Sequence, residues 1–192
     1  MAQQANHALP AGHMLEEYTI TRQLSLGGFS IVYLATDGEG NRVAIKEYLP
    51  NSLALRGDGE IKPQITADHQ SAFRYGMKCF FEEGRALARL SHPNVIRVLN
   101  FFRANDTVYM VMEYERGRTL QEFIQTHRGE VTERFIRGVF TRLLNGLREV
   151  HSHKLLHLDI KPSNVYLRAD NTPVLIDFGA ARQTLSADQP ML

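Results

Sequence analysis

The chain has 192 residues, a net charge of +1, and ordinary proportions of hydrophobic (43%) and charged (22%) residues. This length allows one large domain or two small lobes with a hydrophobic core. The near-neutral charge argues against a nucleic-acid binder that depends on a broad basic surface. A single cysteine, Cys79, excludes an internal disulfide and a cysteine-based zinc cluster, and fits a reducing compartment.

The N-terminal residues 1–15 are polar and contain no Lys or Arg, so they do not form a signal peptide. No apolar run approaches the ~18 residues that a membrane-spanning helix requires. We therefore expect residues 1–15 to be a flexible lead-in. A cytoplasmic protein without a membrane span is the corresponding expectation for localisation.

Five runs rich in β-branched residues predict a sheet. The first three are YTITRQL, SIVYLAT and RVAIKEY, separated by Gly27-Gly28 and by the turn DGEGN. Connections this short imply an antiparallel meander. VIRVLNFF and TVYMVMEY follow as two more strands joined by the turn RAND. The pattern predicts a five-stranded antiparallel sheet.

One main helix interrupts these strands, and further helices follow them. Helical spacing predicts a helix over residues 67–90, with a break near Gly76. Two more helices are predicted after residue 117, the longer one capped by Thr132. The result is an α+β, two-lobed layout: an N-lobe at 16–114, with an insertion at 48–78, and a partial helical C-lobe at 115–192.

Several polar residues along this layout suit phosphoryl transfer, which needs a cover over the phosphates, a cation, metal ligands and a group that orients the nucleophile. VAIK places Lys46 within a strand, and Glu83 on the main helix could pair with it. The segment HLDIKPSN contains Asp159 and Asn164, and IDFG places Asp177 after a strand.

In this order and spacing, the motifs VAIK, EEGRALARLSHPNV, YMVMEY, HLDIKPSN and IDFG resemble those of eukaryotic-type Ser/Thr protein kinases in their bacterial form. The resemblance covers about residues 18–182. It implies the protein-kinase-like two-lobed fold and an ATP-dependent enzyme that phosphorylates a protein hydroxyl.

The resemblance also implies four catalytic roles. Lys46 would hold the α- and β-phosphates of ATP, and Glu83 would orient Lys46; Glu82 is the alternative if the register differs by one. Asp159 would accept or orient the proton of the substrate hydroxyl. Lys161 would neutralise the γ-phosphate.

Two further residues, Asn164 and Asp177, match the metal-ligating positions of the family. Amide and carboxylate oxygens suit Mg²⁺ or Mn²⁺ rather than zinc. For the nucleotide, Met112 would guard the back of the adenine pocket. The complete set implied for ATP binding is Leu24, Ser25, Gly27, Gly28, Val32, Ala44, Lys46, Met112, Glu113, Tyr114 and Tyr166.

The chain departs from the family pattern at several places. Ser25 and Ser30 replace the first and third glycines of the phosphate loop, while Gly27 keeps the middle one. Leu158 replaces the arginine that usually binds a phosphorylated activation segment, which predicts a kinase that is not switched on in that way. The chain also ends 13 residues after Gly179, before the helices that usually dock a protein substrate.

These departures leave alternatives open. A nucleotide-binding pseudokinase or regulatory module is the main one, because the glycine loop is incomplete and the docking helices are missing. Small-molecule phosphotransferases of the aminoglycoside type share an H-x-D…N loop, but DIKPSN followed by DFG argues against them. An apolar face left by the missing helices would favour self-association or a partner domain.

Overall fold

The structure, a computed structural model, describes residues 6–178 and 182–183. The described chain forms two compact units. The first contains the residues up to 88 together with Val98–Tyr114, and the second contains Arg89–Arg97 together with the residues from 115 onward. The protein-kinase-like α+β fold predicted from the sequence is confirmed. Gly179 of the IDFG motif lies outside the described residues.

The first unit is built on an antiparallel six-stranded sheet with the strand order β1-β2-β3-β4-β6-β5. The strands are β1 Met14–Leu15, β2 Tyr18–Leu26, β3 Ser30–Thr36, β4 Arg42–Tyr48, β5 Val98–Ala104 and β6 Thr107–Glu113. The predicted five strands are confirmed, and β1 adds a two-residue edge strand. Strand β4 lies between β3 and β6, which fixes it on both sides.

Helix α1, Gln70–Leu87, packs on one face of this sheet and follows a short 3-10 turn at Ala67–His69. The expected break near Gly76 is wrong, because the helix continues through it. A Cβ atom at this glycine would lie 1.8 Å from the hydroxyl oxygen of Tyr48. Gly76 therefore lets helix and sheet approach closely instead of interrupting the helix.

The opposite face of the sheet is covered by the N-terminal residues and by the insertion. Residues 6–15, which we expected to be flexible, pack against the sheet through Leu9 and Leu15, both at most 3% exposed. From the insertion, Ala54 joins the same core and the Arg56 side chain is fully buried. The first unit thus consists of α1, the sheet and a covering layer, which is formed by residues 6–15 and the insertion.

The second unit combines short strands with the longest helix of the described residues. Strands β7 Gly117–Thr119, β9 Val165–Arg168 and β10 Pro173–Leu175 form an antiparallel sheet, and β8 Leu155–Leu156 pairs with β11 Arg182–Gln183. The helices are α2 Leu120–Thr126 and α3 Glu133–Ser152. Thr119 caps α2 in a capping box with Glu122, and Thr132 caps α3.

None of the helices in residues 6–178 combines the length and the apolar character that crossing a membrane requires.

Candidate active site

Strand β4 presents Lys46 on the face of the sheet that α1 covers. Antiparallel pairing sets Lys46 beside Val32 on β3 and Met110 on β6. Ala44 is two residues from Lys46 and pairs with Met112, so all of these side chains share one face. The sheet therefore brings together Val32, Ala44, Lys46 and Met112, which the sequence analysis associates with one nucleotide.

Helix α1 supplies the surroundings of the Lys46 side chain. Lys46 is only 9% exposed, and its ammonium nitrogen lies 5.8 Å from the centre of the Phe80 ring. Glu83 follows Phe80 by three residues, on the same side of the helix. By contrast, Glu82 is exposed and pairs with Arg85 at 3.7 Å. This arrangement favours Glu83 over Glu82 as the helix glutamate near Lys46.

Gly27 and Gly28, in the turn between β2 and β3, are exposed, as is Ser25 near the end of β2; Leu24 is half-buried. The backbone of the turn is held by a bond from Gly27 N to Ser30 O at 2.9 Å and by Asn51 N donating to Gly28 O at 2.9 Å. A Cβ at Gly28 would meet no atom within 4 Å. The fold itself therefore does not require glycine there, and an open backbone suits the approach of a phosphate.

The end of β6 carries the residues expected at the adenine edge. Met112 and Glu113 are the last two residues of the strand, and Tyr114 is the last residue of the first unit. All three are half-buried. Tyr166 belongs to the second unit, where β9 pairs it with Thr119 and Val174, and it is also half-buried.

The loop HLDIKPSN gathers two polar side chains around Asp159. The Asn164 amide donates to the Asp159 backbone oxygen at 2.8 Å and to its carboxylate at 2.9 Å. The Lys161 ammonium lies 2.8 Å from the same carboxylate oxygen. Pro162 begins a 3-10 turn that ends at Asn164, and this turn lets the amide reach back to Asp159.

His157 connects this loop to the strand that precedes Asp177. Its Nε2 donates to Ile176 O at 3.1 Å, and its Nδ1 accepts from Asp159 N at 3.3 Å. These bonds define a neutral imidazole with the proton on Nε2. His157 is 2% exposed and packs on Phe178, with ring centres 4.5 Å apart. His157 is therefore a packed structural residue.

Asp177 is positioned by the same connection. The backbone N–H of Ile176 donates to Asn164 O at 3.0 Å, so the residue before Asp177 is tied to the metal-site candidate Asn164. Asp177 has φ 57°, a left-handed conformation that few non-glycine residues adopt. Such backbone strain is typical of functional sites. The second unit thus brings Asp159, Asn164 and Asp177 close together.

The charges in this loop keep Asp159 ionised. The hydrogen bond from Lys161 lowers the pKa of Asp159 most, and the bond from Asn164 lowers it further. The pKa of Lys161 is raised, chiefly by its bond to Asp159. At neutral pH the loop therefore holds a carboxylate beside an ammonium group, which suits positioning of a hydroxyl more than strong proton abstraction.

Leu158 lies within this loop but takes no part in the polar contacts. Its side chain is 61% exposed, and its φ is 62°. A branched side chain in this conformation costs about 1 kcal/mol. The backbone turn that aims Asp159 therefore persists without an arginine at this position.

The oxygen donors present fit a magnesium ion that also binds phosphate. Both donor contacts of the Asn164 amide go to Asp159, which leaves its oxygen for a cation. Within residues 6–178, no three His, Cys, Asp or Glu side chains group into a complete metal cage. Mg²⁺ commonly takes one or two protein oxygens and completes its shell with water and phosphate, and Asn164 with Asp177 would provide that number.

The sequence pattern does not indicate two supporting positions, Ile176 and Phe80. The backbone of Ile176 joins His157 to Asn164 and so connects the two motifs. Phe80 lines the path of the Lys46 side chain. Only the helical spacing of Phe80 and Glu83 could have indicated the role of Phe80. No local sequence pattern indicates the role of Ile176.

The antiparallel sheet with its single helix, and the loop that holds Asp159 between Asn164 and Lys161, are features of a protein-kinase-like fold. The family description "Protein kinase domain" matches residues 18–191. The chain therefore belongs to the protein kinase domain family.

Named relatives agree with this assignment. Serine/threonine-protein kinase B of Synechocystis sp. is 35% identical over 67% of this chain. Serine/threonine-protein kinase D of the same organism is 30% identical over 91% of it. A solved structure described as the PpkA-294 apo form is 35% identical, covers 90% of this chain and 62% of its own, and gives a TM-score of 0.84. The chain spans 22% and 32% of the two Synechocystis kinases.

Proposed function

We propose that this chain is the catalytic core of an ATP-dependent Ser/Thr protein kinase that transfers the γ-phosphoryl group of ATP·Mg to a protein hydroxyl. The observation that carries the proposal is the Asp159 carboxylate, bonded at once by the Asn164 amide and the Lys161 ammonium. Relatives that are named serine/threonine-protein kinases support the same reaction.

In this proposal Asp159 orients the attacking hydroxyl through a hydrogen bond to its proton. Its lowered pKa keeps the acceptor ionised at neutral pH. Lys161 lies close enough to Asp159 to place a positive charge beside the transferred group. Positioning and charge stabilisation contribute most of the catalysis in phosphoryl transfer.

The metal ion, when bound, would neutralise phosphate charge, and Asn164 and Asp177 would hold it. In the first unit, Lys46 would bind the α- and β-phosphates and Glu83 would keep Lys46 in place. The burial of Lys46 beside Phe80 supports this role, because an ammonium shielded from water interacts more strongly with phosphate.

For the nucleotide we propose the whole set given by the sequence. The glycine turn at Leu24, Ser25, Gly27 and Gly28 would lie over the phosphates. Val32 and Ala44 would cover the adenine from the sheet, with Met112 behind it. Glu113 and Tyr114 would bind its edge, and Tyr166 would form its floor.

We also propose that activity does not depend on phosphorylation of the activation segment, because the exposed Leu158 offers no charge to a phosphate. Treatment with a broad phosphatase should leave the initial rate unchanged. A Leu158→Arg variant should show the same rate before and after treatment, since the loop is already held by Asn164 and His157. A rate that falls with dephosphorylation in the wild type would contradict the proposal.

The main test compares wild type, Asp159→Asn and Asp170→Asn. Asp170 lies in an exposed turn, where it bonds Thr172, so its variant controls for loss of a surface carboxylate. Thermal unfolding with and without ATP·Mg measures binding, and ³²P transfer to a generic protein substrate measures catalysis. Ligand at ~100 Kd should add about 2.7 kcal/mol of stability in all three proteins. Transfer should disappear only in Asp159→Asn, and transfer that survives there would overturn the role of Asp159.

A nucleotide-binding pseudokinase is the second candidate, favoured by serine at two glycine positions of the exposed loop. Serine side chains at residues 25 and 30 would stiffen the turn and crowd the phosphates. The same experiment separates the two functions. A thermal shift with ATP·Mg but no transfer by the wild type identifies the pseudokinase.

We further propose a cytoplasmic location, which the single cysteine of the sequence fits. A partner domain or a second copy is proposed for the apolar face of α3. Three of its side chains are exposed at a spacing of four residues, Ile136, Phe140 and Leu144. Light scattering across a dilution series tests self-association, since a constant monomer mass would exclude a second copy.

A further inference from the structure

The tip of the glycine turn, residues 27–29, is held in place by the segment that follows β4. Beyond the last pair of the β3–β4 ladder, Leu49 N donates to Phe29 O at 3.0 Å and Asn51 N donates to Gly28 O at 2.9 Å. The side chain of Phe29 is 75% exposed, so it adds little packing at this place. The two backbone bonds therefore join the tip of the turn to the first residues of the insertion.

One buried side chain, that of Asn6, organises this part of the insertion. Asn6 is 3% exposed. Its amide nitrogen lies within hydrogen-bonding distance of Asn51 Oδ1 at 2.8 Å, and of the backbone oxygens of Ala54 and Leu49 at 3.2 and 3.3 Å. Its amide oxygen accepts from Arg56 N at 2.6 Å. Asn6 therefore contacts both residues that donate to the turn, Leu49 and Asn51.

The bonds of Asn6 place it away from the residues assigned to the nucleotide. Arg56, which donates to Asn6, pairs with Glu47. Glu47 directly follows Lys46 on β4, so the side chains of these two residues point to opposite faces of the sheet. Asn6 thus has its contacts in the covering layer, and the glycine turn is its connection to the phosphates.

We propose that Asn6 is a positioning residue for the nucleotide, because through Leu49 and Asn51 it holds the glycine turn over the phosphates. This role rests on the proposed function and deepens it. Two adjacent glycines give the turn more conformational freedom than other residues would. A turn that is fixed before a phosphate arrives loses less entropy when the phosphate binds. Asn6 therefore raises the affinity for ATP·Mg without contacting it.

Asn6→Ala should raise KM for ATP about tenfold, since a smaller fraction of the molecules would then hold the turn in the binding-competent position. Bound ATP fixes the turn by itself, so kcat at saturating ATP should change by less than about twofold. Ile61→Ala is the matched control, because it removes an apolar contact between the insertion and the core and keeps the bonds of Asn6. This control should lower the thermal stability and leave KM unchanged.

Amide hydrogen exchange, followed by NMR without nucleotide, measures the hold on the turn apart from the proposed function. In Asn6→Ala, the N–H groups of Leu49 and Asn51 should exchange at least about tenfold faster, because several buried hydrogen bonds are lost. Ile61→Ala should leave both exchange rates unchanged. Asn51→Ala removes the side-chain acceptor of Asn6 and should accelerate exchange of the Leu49 amide. Asn51→Asp keeps an oxygen acceptor and should retain the slow exchange of that amide.

Unchanged exchange of the Leu49 and Asn51 amides in Asn6→Ala would overturn the proposal, as would a fall in kcat with an unchanged KM. An equal rise of KM in Ile61→Ala would also overturn it, because the effect would then come from a general loss of stability. If Asn6→Ala does not fold, the half-buried Asn51 allows the exchange comparison through its alanine and aspartate variants. A missing ATP·Mg thermal shift in the wild type would overturn the proposed function, and the exchange rates would still decide whether Asn6 holds the turn.

Discussion

The side-chain amide of Asn164 donates to both the backbone oxygen and the carboxylate of Asp159, at 2.8 and 2.9 Å. One residue therefore fixes the orientation of the proposed catalytic carboxylate and, through its amide oxygen, offers a ligand to the proposed metal ion. The two tasks are linked, because the donors point to Asp159 only when the oxygen points away from it.

Asn164→Ala should impair both tasks at once. We expect a fall of about 10- to 100-fold in transfer rate and a higher Mg²⁺ requirement, the usual effect of losing a group that orients or binds a metal site. Steady-state kinetics against Mg²⁺ concentration measure this. Asn145→Ala, at an exposed position of α3, is the control. An unchanged Mg²⁺ requirement would show that Asn164 acts only on Asp159.

Lys161 should determine the acidic limit of activity. Its hydrogen bond is the largest cause of the lowered pKa of Asp159, so Lys161→Ala should raise that pKa toward the ordinary value of aspartate. A carboxyl group with a higher pKa becomes protonated at a higher pH. The acidic limb of the pH–rate profile should therefore shift to higher pH. Carbon-13 NMR titration of the carboxyl groups measures the shift directly. Lys78→Ala, on the exposed face of α1, should leave the Asp159 titration unchanged.

The sequence predicted the strands and the turn at HLDIKPSN better than it predicted the layer formed by residues 6–15 and the insertion. Strand runs and the HLDIKPSN loop depend on neighbours within about ten residues, so periodicity and turn residues reveal them. Arg56, in contrast, lies in a stretch without periodicity, and its bonds to Glu47 and to the backbone of His7 join distant segments. No local pattern distinguishes a buried arginine of this kind from an exposed one.

Gly76 shows the same limit in a helix. A glycine within a helical pattern indicates a break when it is judged by intrinsic propensity alone. Here it is required by the hydroxyl of Tyr48, 28 residues earlier in the chain, which occupies the space of a side chain. A tertiary contact with Tyr48 therefore explains the glycine at this position, and a local sequence pattern does not reveal such a contact.

Gly76→Ala should consequently destabilise the protein although alanine is the better helix former. The added methyl group would overlap the Tyr48 ring, and such overpacking costs about 1–3 kcal/mol. Gly138→Ala is the matched control, because this glycine of α3 has open space around it and should gain about 0.5–1 kcal/mol. Urea unfolding followed by circular dichroism measures both. A stabilised Gly76→Ala variant would show that the helix can move away from Tyr48.

The buried Glu47–Arg56 ion pair joins the insertion to the sheet. Both side chains are 0% exposed, and the nearest atoms are 2.6 Å apart. Tyr33 and Tyr109 donate to the same carboxylate at 2.6 and 2.8 Å. Burial and the charge of Glu47 raise the pKa of both phenols, so they remain protonated donors. Glu47 directly follows Lys46 on β4, with its side chain on the other face of the sheet.

Replacing only Glu47 or only Arg56 should therefore lower the free energy of unfolding far more than replacing both residues. Arg56→Met leaves the Glu47 carboxylate buried without its cation, and a loss of about 3–5 kcal/mol is expected. Glu47→Leu should lower the free energy of unfolding by a similar amount, because it leaves the Arg56 guanidinium group buried without a counter-charge. The double variant E47L/R56M has no buried charge at this place and should be more stable than either single variant. A double-mutant cycle in urea measures the coupling. Additive losses in the double variant would mean that each residue stabilises the covering layer separately, through its backbone and tyrosine contacts.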